Sequence, residues 1–347
     1  MKTMPLGRTG LTVPQLCLGT MTMGTQVSEE DGHRQMDVSV DHGVNFFDTA
    51  ELYSTVPVSP ETQGDSERIV GSWLAARGRR DDVVIATKVS GIGTGHIRNG
   101  VPISGATIEA AVEGSLERLQ TDVIDLYQLH WPNRGHYHFR RQWEYDPSDQ
   151  DPAEVSAHVQ DVLEAMGKLV AAGKIRAIGL SNETAWGTMK FLQAAEAAGL
   201  PRVATVQNEY SLLYRTHDLD FAELSHHEDV GLLAYSPLAA GLLTGKYADG
   251  ARPVGSRATV NNGLGGRLTP QAEAAAAGYV SLAREHGLDP SAMALAFCMT
   301  RPFMASAIFG ATSAAQLEVA LSAAEVTLSP EVMRGIADLH KAHPSPY

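Results

Sequence analysis

The side chains best suited to chemistry stand at or just after the ends of short apolar runs. Asp48 ends the run "VNFFD" and Tyr53 follows within "FFDTAELY", while Lys88 ends "VVIATK" and His130 ends "VIDLYQLH". A lysine whose stem lies in an apolar run is costly to bury unless an anion neutralises its ammonium. We expect Asp48 to be that anion, in an ion pair that serves either the structure alone or a reactive site.

Tyrosine is a weak acid at neutral pH, and lowering the pKa of Tyr53 from about 10 to about 7 requires about 4 kcal/mol. A cation about 4 Å away, at an effective dielectric constant of about 20, supplies about that free energy. We therefore expect Lys88 to lower the pKa of Tyr53, and Asp48 to keep Lys88 charged and oriented. His130 is expected to bind and orient a carbonyl oxygen without donating the proton itself.

A proton donor beside a carbonyl still needs a group that attacks the carbon. The sequence contains no G-x-S-x-G nucleophile elbow, so a hydride from a nicotinamide is the expected attacking group. The segment "GIGTGH" at 91 to 96 is a poor dinucleotide motif because His96 replaces its third glycine. A dinucleotide is therefore expected to lie across strand ends and later loops.

Eight short apolar runs alternate with amphipathic stretches, and parallel strands alternating with helices are typical of α/β folds. The runs are "QLCLG", "VNFFD", "VVIATK", "VIDLYQLH", "IRAIGLSN", "VATVQN", "GLLAYS" and "SAIFG". Helical patterns occupy 66–77, 107–120, 155–172, 184–198 and 313–323. Eight such units predict a (β/α)8 TIM barrel whose active-site mouth lies at the carboxyl ends of the strands. An open, doubly wound sheet is the alternative.

Further elements are expected at both ends of the chain. The segment "MPLGRTGLTV" predicts an N-terminal β-hairpin that turns at Thr9 and Gly10, and residues 330 to 341 predict an extra C-terminal helix. We expect residues 1–347 to form one domain. Long loops at about 53–65, 131–153 and 236–268 are expected at the active-site face, since ordinary connections have about 2 to 6 residues.

The composition restricts the kinds of partner that the protein is expected to bind. A formal net charge of −13 and a pI of about 5.4 argue against nucleic acid and an anionic membrane surface, and favour a small-molecule substrate. The only cysteines, Cys17 and Cys298, predict no disulfide framework, and a cytoplasmic location is expected. The 13 histidines lack the spacing of a metal site, so no metal is expected. Monomer and homo-oligomer both remain open.

Several longer motifs resemble those of the aldo-keto reductases. Within that family they are most similar to the Tas-like branch, which is related to potassium-channel β subunits. They are "LGRTGLTVPQLCLGTMTMG", "FFDTAELY", "IATKVS", "DLYQLHWP", "GKIRAIGLSNE", "YSPLAAGLLTGKY" and "FGATSAAQLEVAL". The resemblance covers nearly the whole chain. It implies that Asp48, Tyr53, Lys88 and His130 form the family's catalytic tetrad, with Tyr53 as general acid and base.

The resemblance also implies cofactor contacts where the family's motifs match. The nicotinamide end would be bordered by Thr20, Met21, Gln26 and Asp48, with Ser181, Asn182 and Gln207 at the carboxamide and Tyr235 stacked on the ring. The pyrophosphate loop would comprise Ser236, Leu238, Ala239, Gly241, Leu243 and Lys246, with Arg257 near the adenosine. The adenosine phosphate would meet Gly310, Thr312 and Gln316.

One departure concerns the adenine. Related sequences place an acid and an amide where this chain has Val319 and Ala320, and a lysine-and-arginine pattern for the 2′-phosphate is missing after Gly310. NADP(H) is nevertheless the expected cofactor, in preference to NAD(H). The loop after the fourth run is expected to contact substrate through Trp131, Tyr137 and Trp143, unless it is an outer loop or an oligomer contact.

Three functions follow in order of preference. The first is an NADP(H)-dependent reductase of aldehydes or ketones, with Tyr53 as the proton donor. The second is a nicotinamide-binding regulatory or interaction protein whose turnover is incidental. The third is a barrel hydrolase or lyase that uses Asp48 and His130 without a dinucleotide.

Overall fold

The computed structural model describes residues 1–347 and contains a closed barrel of eight parallel strands. In chain order the barrel strands are β3 (Leu16–Gly19), β4 (Phe46–Asp48), β5 (Val84–Val89), β6 (Ile124–Leu129), β7 (Ile175–Ser181), β8 (Val203–Glu209), β9 (Gly231–Tyr235) and β10 (Met304–Phe309). Strand β10 pairs with β3 and closes the barrel. Each strand falls on one of the eight apolar runs, so the predicted (β/α)8 barrel is confirmed and the open sheet is wrong.

Helices cover the outside of the barrel. They are α1 (Glu29–Asp41), α2 (Asp65–Arg77), α3 (Gly105–Leu119), α4 (Pro152–Ala171), α5 (Ala185–Ala198), α6 (Asp220–Glu228), the short α7 (Arg257–Val260), α8 (Pro270–Glu285), α9 (Pro290–Met299), α10 (Ala314–Ser322) and α11 (Pro330–Ala342). Ser104, Thr184 and Ser313 accept N-cap hydrogen bonds from α3, α5 and α10. The strands, covered outside by helices and filled inside by side chains, are buried on both faces.

An N-terminal hairpin closes the lower end of the barrel, as predicted. Strand β1 (Thr3–Pro5) pairs antiparallel with β2 (Thr12–Pro14), and the turn is closed by a hydrogen bond from Leu6 N to Leu11 O of 2.9 Å. Leu6 is fully buried and packs against inward-facing barrel residues such as Phe46 and Leu126. The hairpin therefore seals the end opposite the strand termini, which leaves the other end open for a site.

The open end carries three long connections. Residues 49–64 join β4 to α2, residues 130–151 join β6 to α4, and residues 236–269 join β9 to α8 through short helical turns and α7. All three leave from carboxyl ends of strands, at the mouth that barrel enzymes use for catalysis. None of the helices combines the length and apolar character that a membrane crossing needs.

Candidate active site

A cavity of about 970 Å³ opens at the carboxyl ends of the barrel strands. Its lining draws on the ends of β3, β4, β6, β7, β8, β9 and β10 and on all three long loops. Most of the residues predicted for the site line it: Met21, Gln26, Asp48, Tyr53, His130, Trp131, Ser181, Asn182, Gln207, Tyr235, Ser236, Leu238, Gly241, Lys246, Arg257, Gly310, Thr312 and Gln316. The fold thus brings together residues from positions 21 to 316.

Lys88 lies at the centre of a polar cluster beneath this cavity. Its side chain is fully buried, and Nζ donates hydrogen bonds to Asp48 Oδ2 at 2.6 Å, to Thr49 O at 2.8 Å and to the Tyr53 hydroxyl at 3.4 Å. Adjacent parallel strands carry the pair, because Asp48 ends β4 and Lys88 lies on β5. The predicted contact of a lysine with both a carboxylate and a phenol is therefore present.

Two glutamines hold the other oxygen of Asp48. Gln207 Nε2 donates to Asp48 Oδ1 at 2.8 Å and Gln128 Nε2 donates to the same oxygen at 3.3 Å. Gln128 was not predicted as a site residue. The period of a strand could have identified it, since Gln128 lies two residues before His130 and so faces the same side. A carboxylate with both oxygens engaged keeps one orientation beside Lys88.

The net effect on Tyr53 differs from the expected one. Burial raises the pKa of Tyr53 above its ordinary value of 10, and Lys88 offsets only part of that rise. The expected net lowering of the Tyr53 pKa is therefore wrong, because desolvation of the phenolate outweighs the nearby ammonium. Tyr53 is a neutral phenol at neutral pH, which suits it to give a proton.

His130 is a neutral imidazole. Burial lowers the pKa of His130 well below 6.5, and the positive charge of Lys88 lowers it further. Its ring centre lies 5.6 Å from that of Tyr53 at a steep angle, and its Nδ1 has no hydrogen-bond partner. A neutral imidazole can donate a hydrogen bond from one ring nitrogen and still keep its proton. The orienting role of His130 stays a prediction.

The residues predicted to bind a carboxamide form a connected network. Asn182 Nδ2 donates to His130 O at 2.9 Å, and Asn182 Oδ1 accepts from the Tyr235 hydroxyl at 2.8 Å. Ser181 Oγ donates to Gln207 O at 2.9 Å. Gln207 Nε2 also donates to Gln128 Oε1 at 3.2 Å, whereas Gln207 Oε1 receives no hydrogen bond from the protein. Gln207 Oε1 is free to accept an amide N–H.

Two cations in the loop after β9 lack carboxylate partners. Arg257 is half-buried and its Nε has no hydrogen-bond partner. Lys246 Nζ lies 5.2 Å from the centre of the Tyr247 ring and forms no ion pair with an acid. Gly241 has φ of +98°, and a Cβ there would stand 2.8 Å from Lys246 Cε. A bare backbone beside unpaired cations is the donor set that phosphate groups require.

The start of α10 lines the far end of the cavity. Gln316 Oε1 accepts hydrogen bonds from Thr312 N at 2.9 Å and from Thr312 Oγ1 at 3.1 Å. A Cβ added to Gly310 would contact nothing closer than 3.7 Å, so space is open there. Val319 and Ala320 also line this end, so the departure noted in the sequence falls inside the cavity.

Comparison with known proteins assigns the family. The Aldo/keto reductase family model matches residues 15–341. The chain belongs to the aldo/keto reductase family. It is 45% identical over 339 residues to Protein tas of Escherichia coli (strain K12), an alignment that covers 97% of this chain and 96% of that protein.

Two further relatives support the same branch. Uncharacterized oxidoreductase YrpG of Bacillus subtilis (strain 168) is 34% identical over 341 residues, which covers 96% of this chain and 94% of that one. A probable voltage-gated potassium channel subunit beta of Arabidopsis thaliana is 30% identical over 347 residues, covering 98% and 96%. The family comprises oxidoreductases that act on small-molecule substrates and generally use NADP(H). The resemblance read from the motifs is confirmed.

Some predicted residues of this aldo/keto reductase do not reach the cavity. Thr20 is fully buried, and its hydroxyl donates to Asp48 O at 3.1 Å. Ala239 and Leu243 are buried in the hydrophobic core. Lys88 lies beneath the lining of the cavity, in contact with Tyr53. Thr20 therefore supports the strand end that carries Asp48, while Ala239 and Leu243 anchor their loop from below.

Of the three residues expected to contact substrate in this aldo/keto reductase, only one lines the cavity. Trp131 lines the cavity beside His130, with ring centres 4.8 Å apart. Tyr137 packs on His138 and Tyr145 outside the cavity, and Trp143 is 69% exposed on the outer side of the loop. The structure does not bring Tyr137 and Trp143 to the site, because the loop turns between them and Trp131.

Phe139 and Arg140 line the cavity in their place, and neither was predicted from the sequence. Each has a positive φ, +59° and +63°, in a region that few non-glycine residues occupy. No period or motif predicts such a loop conformation.

No group of three or more His, Cys, Asp or Glu side chains in the structure is arranged to hold a metal ion.

Proposed function

We propose that residues 1–347 act as one catalytic domain, an NADP(H)-dependent reductase that converts aldehydes or ketones to alcohols. The observation that carries this proposal is the contact of Lys88 Nζ with both Asp48 and the Tyr53 hydroxyl, at the base of the cavity and beside His130. When bound, the nicotinamide supplies a hydride to the carbonyl carbon. The protein's part is to hold the carbonyl and give its oxygen a proton.

Tyr53 is the proposed proton donor. Its phenol is neutral because burial raises its pKa, so the proton is present when the carbonyl oxygen gains negative charge. Lys88 then stabilises the phenolate that forms, since its pKa is raised by Asp48 and Tyr53 in spite of burial and it stays charged. Neutral His130 donates a hydrogen bond that orients the carbonyl oxygen.

The dinucleotide is proposed to lie along the cavity from the network at Asn182 to the start of α10. Gln207 Oε1 and Asn182 would hold the carboxamide, and Tyr235 would stack on the ring. Lys246 and Arg257, which have no carboxylate partner, would pair with phosphate oxygens. With Lys246 at the pyrophosphate, Arg257 near the adenosine would remain for the extra phosphate of NADP(H), and we therefore propose NADP(H) over NAD(H). We further propose a cytoplasmic location, because both cysteines are buried and free.

The pH dependence of reduction tests the assignment of Tyr53. Reduction needs the protonated phenol, and its pKa is raised, so we expect kcat to stay flat from about pH 6 to about pH 9 and to fall only at higher pH. His130 has a pKa well below 6.5, so no inflection is expected near that pH. Steady-state rates at saturating NADPH and aldehyde across this range measure it. If kcat fell to half of its maximum near pH 7, a group other than Tyr53 would donate the proton to the carbonyl oxygen.

The cofactor preference depends on Arg257. We expect Arg257→Ala to raise the Kd of NADPH about tenfold or more, because a charge-assisted hydrogen bond to phosphate is lost. The Kd of NADH is expected to change by less than about threefold, if Arg257 pairs with the extra phosphate. Isothermal titration calorimetry measures both affinities without turnover.

Arg252→Ala is the matched control, since Arg252 lies on the same loop and pairs with Glu273 at 3.2 Å. Its removal should leave both affinities unchanged. Equal weakening of NADPH and NADH by Arg257→Ala would show that Arg257 does not distinguish the two cofactors. Absence of any dinucleotide binding by the wild type would instead favour the barrel hydrolase or lyase.

The alternative is a nicotinamide-binding regulatory or interaction protein. It is supported by the similarity to a relative whose name describes a probable channel subunit beta. Turnover separates the two proposals. Rapid oxidation of NADPH with any of a panel of aromatic and aliphatic aldehydes supports the reductase, and tight NADPH binding without turnover supports the regulatory protein.

A further inference from the structure

A second charged cluster lies in the same cavity and has no role in the chemistry above. Glu209 is 2% exposed and accepts hydrogen bonds from Arg140 at 2.6 Å and from Arg267 at 2.7 Å. Burial would raise the pKa of Glu209, but Arg267 and Arg140 lower it below its ordinary value. Glu209 is therefore ionised, and the cluster of Arg140, Arg267 and Glu209 carries one net positive charge.

The strand geometry places this cluster just above the catalytic group. Gln207 points into the barrel, where it contacts Asp48 at 2.8 Å. Side chains two residues apart on a strand share one face, so Glu209 also points inward, about 7 Å nearer the mouth. Arg140 and Arg267 both line the cavity. Tyr53 and His130 line the same cavity.

Arg140 is the member of the cluster with free donors. Arg267 uses its groups on Glu209, on Leu264 O at 3.0 Å and on Ser236 Oγ at 3.4 Å. Arg140 uses only Nη1, on Glu209, and its buried Nε has no partner. Its side chain is only 12% exposed. A largely desolvated guanidinium with unused N–H groups is stabilised by a further oxygen acceptor.

The loop is held in a costly conformation that presents Arg140 and an aromatic ring together. Phe139 and Arg140 both have positive φ, and such non-glycine conformations persist where other contacts enforce them and often occur at functional sites. The Phe139 ring centre lies 6.4 Å from that of Trp131, which in turn packs on His130. Aromatic surface thus connects the catalytic group to Arg140.

We propose that Arg140 binds a carboxylate on the substrate, so that the preferred substrates are aromatic aldehydes carrying a carboxylate remote from the carbonyl. This inference rests on the proposed reductase function. The phosphate groups of the cofactor are the other anions that Arg140 could bind. The substrate is favoured because Arg140 shares its loop with Trp131 and Phe139, which also line the cavity, and Trp131 packs on His130.

The test compares 4-carboxybenzaldehyde with methyl 4-formylbenzoate, its neutral methyl ester, using NADPH. We expect kcat/KM of wild type to be at least about tenfold higher for the acid, as one charge-assisted hydrogen bond predicts. Arg140→Gln is expected to bring the ratio to about one, and Arg140→Lys to keep part of the preference. The Kd of NADPH for Arg140→Gln should stay within about twofold of wild type, unlike the tenfold loss expected for a phosphate contact.

Arg141→Gln is the matched control. Arg141 is the next residue, is exposed and forms no ion pair, so the same charge change should leave the acid-to-ester ratio unaltered. If Arg140→Gln fails to fold, the acid-to-ester ratios of kcat/KM for wild type and for Arg140→Lys still test the proposal. An acid-to-ester ratio of about one for wild type overturns this proposal and leaves the reductase intact.

Two other outcomes also count against the proposal. Weaker NADPH binding by Arg140→Gln with an unchanged acid-to-ester ratio assigns Arg140 to a cofactor phosphate. Failure of wild type to reduce either compound or any other aldehyde overturns the proposed function, and this inference with it.

Discussion

Replacing Tyr53 with phenylalanine is expected to lower kcat for aldehyde reduction about 10²- to 10⁴-fold, the range for loss of a positioned general acid. The Kd of NADPH is expected to stay within about twofold, since the ring remains and only one hydroxyl is lost. Tyr53 lines the cavity, and its hydroxyl is the one tyrosine hydroxyl that hydrogen-bonds to Lys88, at 3.4 Å. Single-turnover rates and equilibrium titration measure the two effects separately.

Tyr127→Phe is the matched control for this substitution. Tyr127 is fully buried on β6 and its hydroxyl has no hydrogen-bond partner. The same loss of one oxygen there should leave kcat unchanged and stability unchanged or slightly improved. If Tyr53→Phe retained at least a third of the wild-type kcat, Tyr53 would not be the proton donor.

Replacing Lys88 with methionine is expected to damage both stability and catalysis. Asp48 is 2% exposed, and without Lys88 it becomes a buried carboxylate with no cation, a change that costs about 3 to 5 kcal/mol of unfolding free energy. The phenolate of Tyr53 also loses its stabilising charge, and kcat is expected to fall by at least about 10²-fold. Urea denaturation and steady-state rates measure the two losses.

A second substitution separates the two effects. The double variant Asp48→Asn with Lys88→Met removes the unpaired charge, so much of the unfolding free energy should return while kcat stays low. Lys341→Met is the control, because Lys341 forms only an exposed pair with Asp338 at 3.5 Å and its loss should leave the denaturation midpoint unchanged. Full activity in Lys88→Met would remove Lys88 from the mechanism.

Much of the fold was predictable because its signals are local. Each barrel strand is a short apolar run between turn residues. The runs "VVIATK" and "VIDLYQLH" each end one residue away from the end of the strand they predict, β5 (Val84–Val89) and β6 (Ile124–Leu129). The rule that parallel strands end at one mouth then brings Asp48, Lys88 and His130 together. Because parallel strands are buried on both faces, they appear in the sequence as continuous apolar runs.

The loops were not predictable in the same way. Trp131 is the second residue after β6, so its position is set by the barrel. Tyr137 and Trp143 lie farther along a loop whose path depends on the ion pair of Arg140 with Glu209 on β8, 69 residues away. A partner so distant along the chain leaves no period or motif in the loop itself.

Apolar periodicity and the positions of strand ends were enough to predict the barrel, and they led to the proposal of a reactive group at the carboxyl ends of the strands. The hydrogen-bond partners of the site residues and the direction of their pKa shifts depended on the tertiary fold. It placed Gln128 and Gln207 on Asp48, left Arg140 and Arg257 with unused donors, and raised rather than lowered the pKa of Tyr53. Desolvation and pairing depend on every neighbour in three dimensions, and those neighbours come from all parts of the chain.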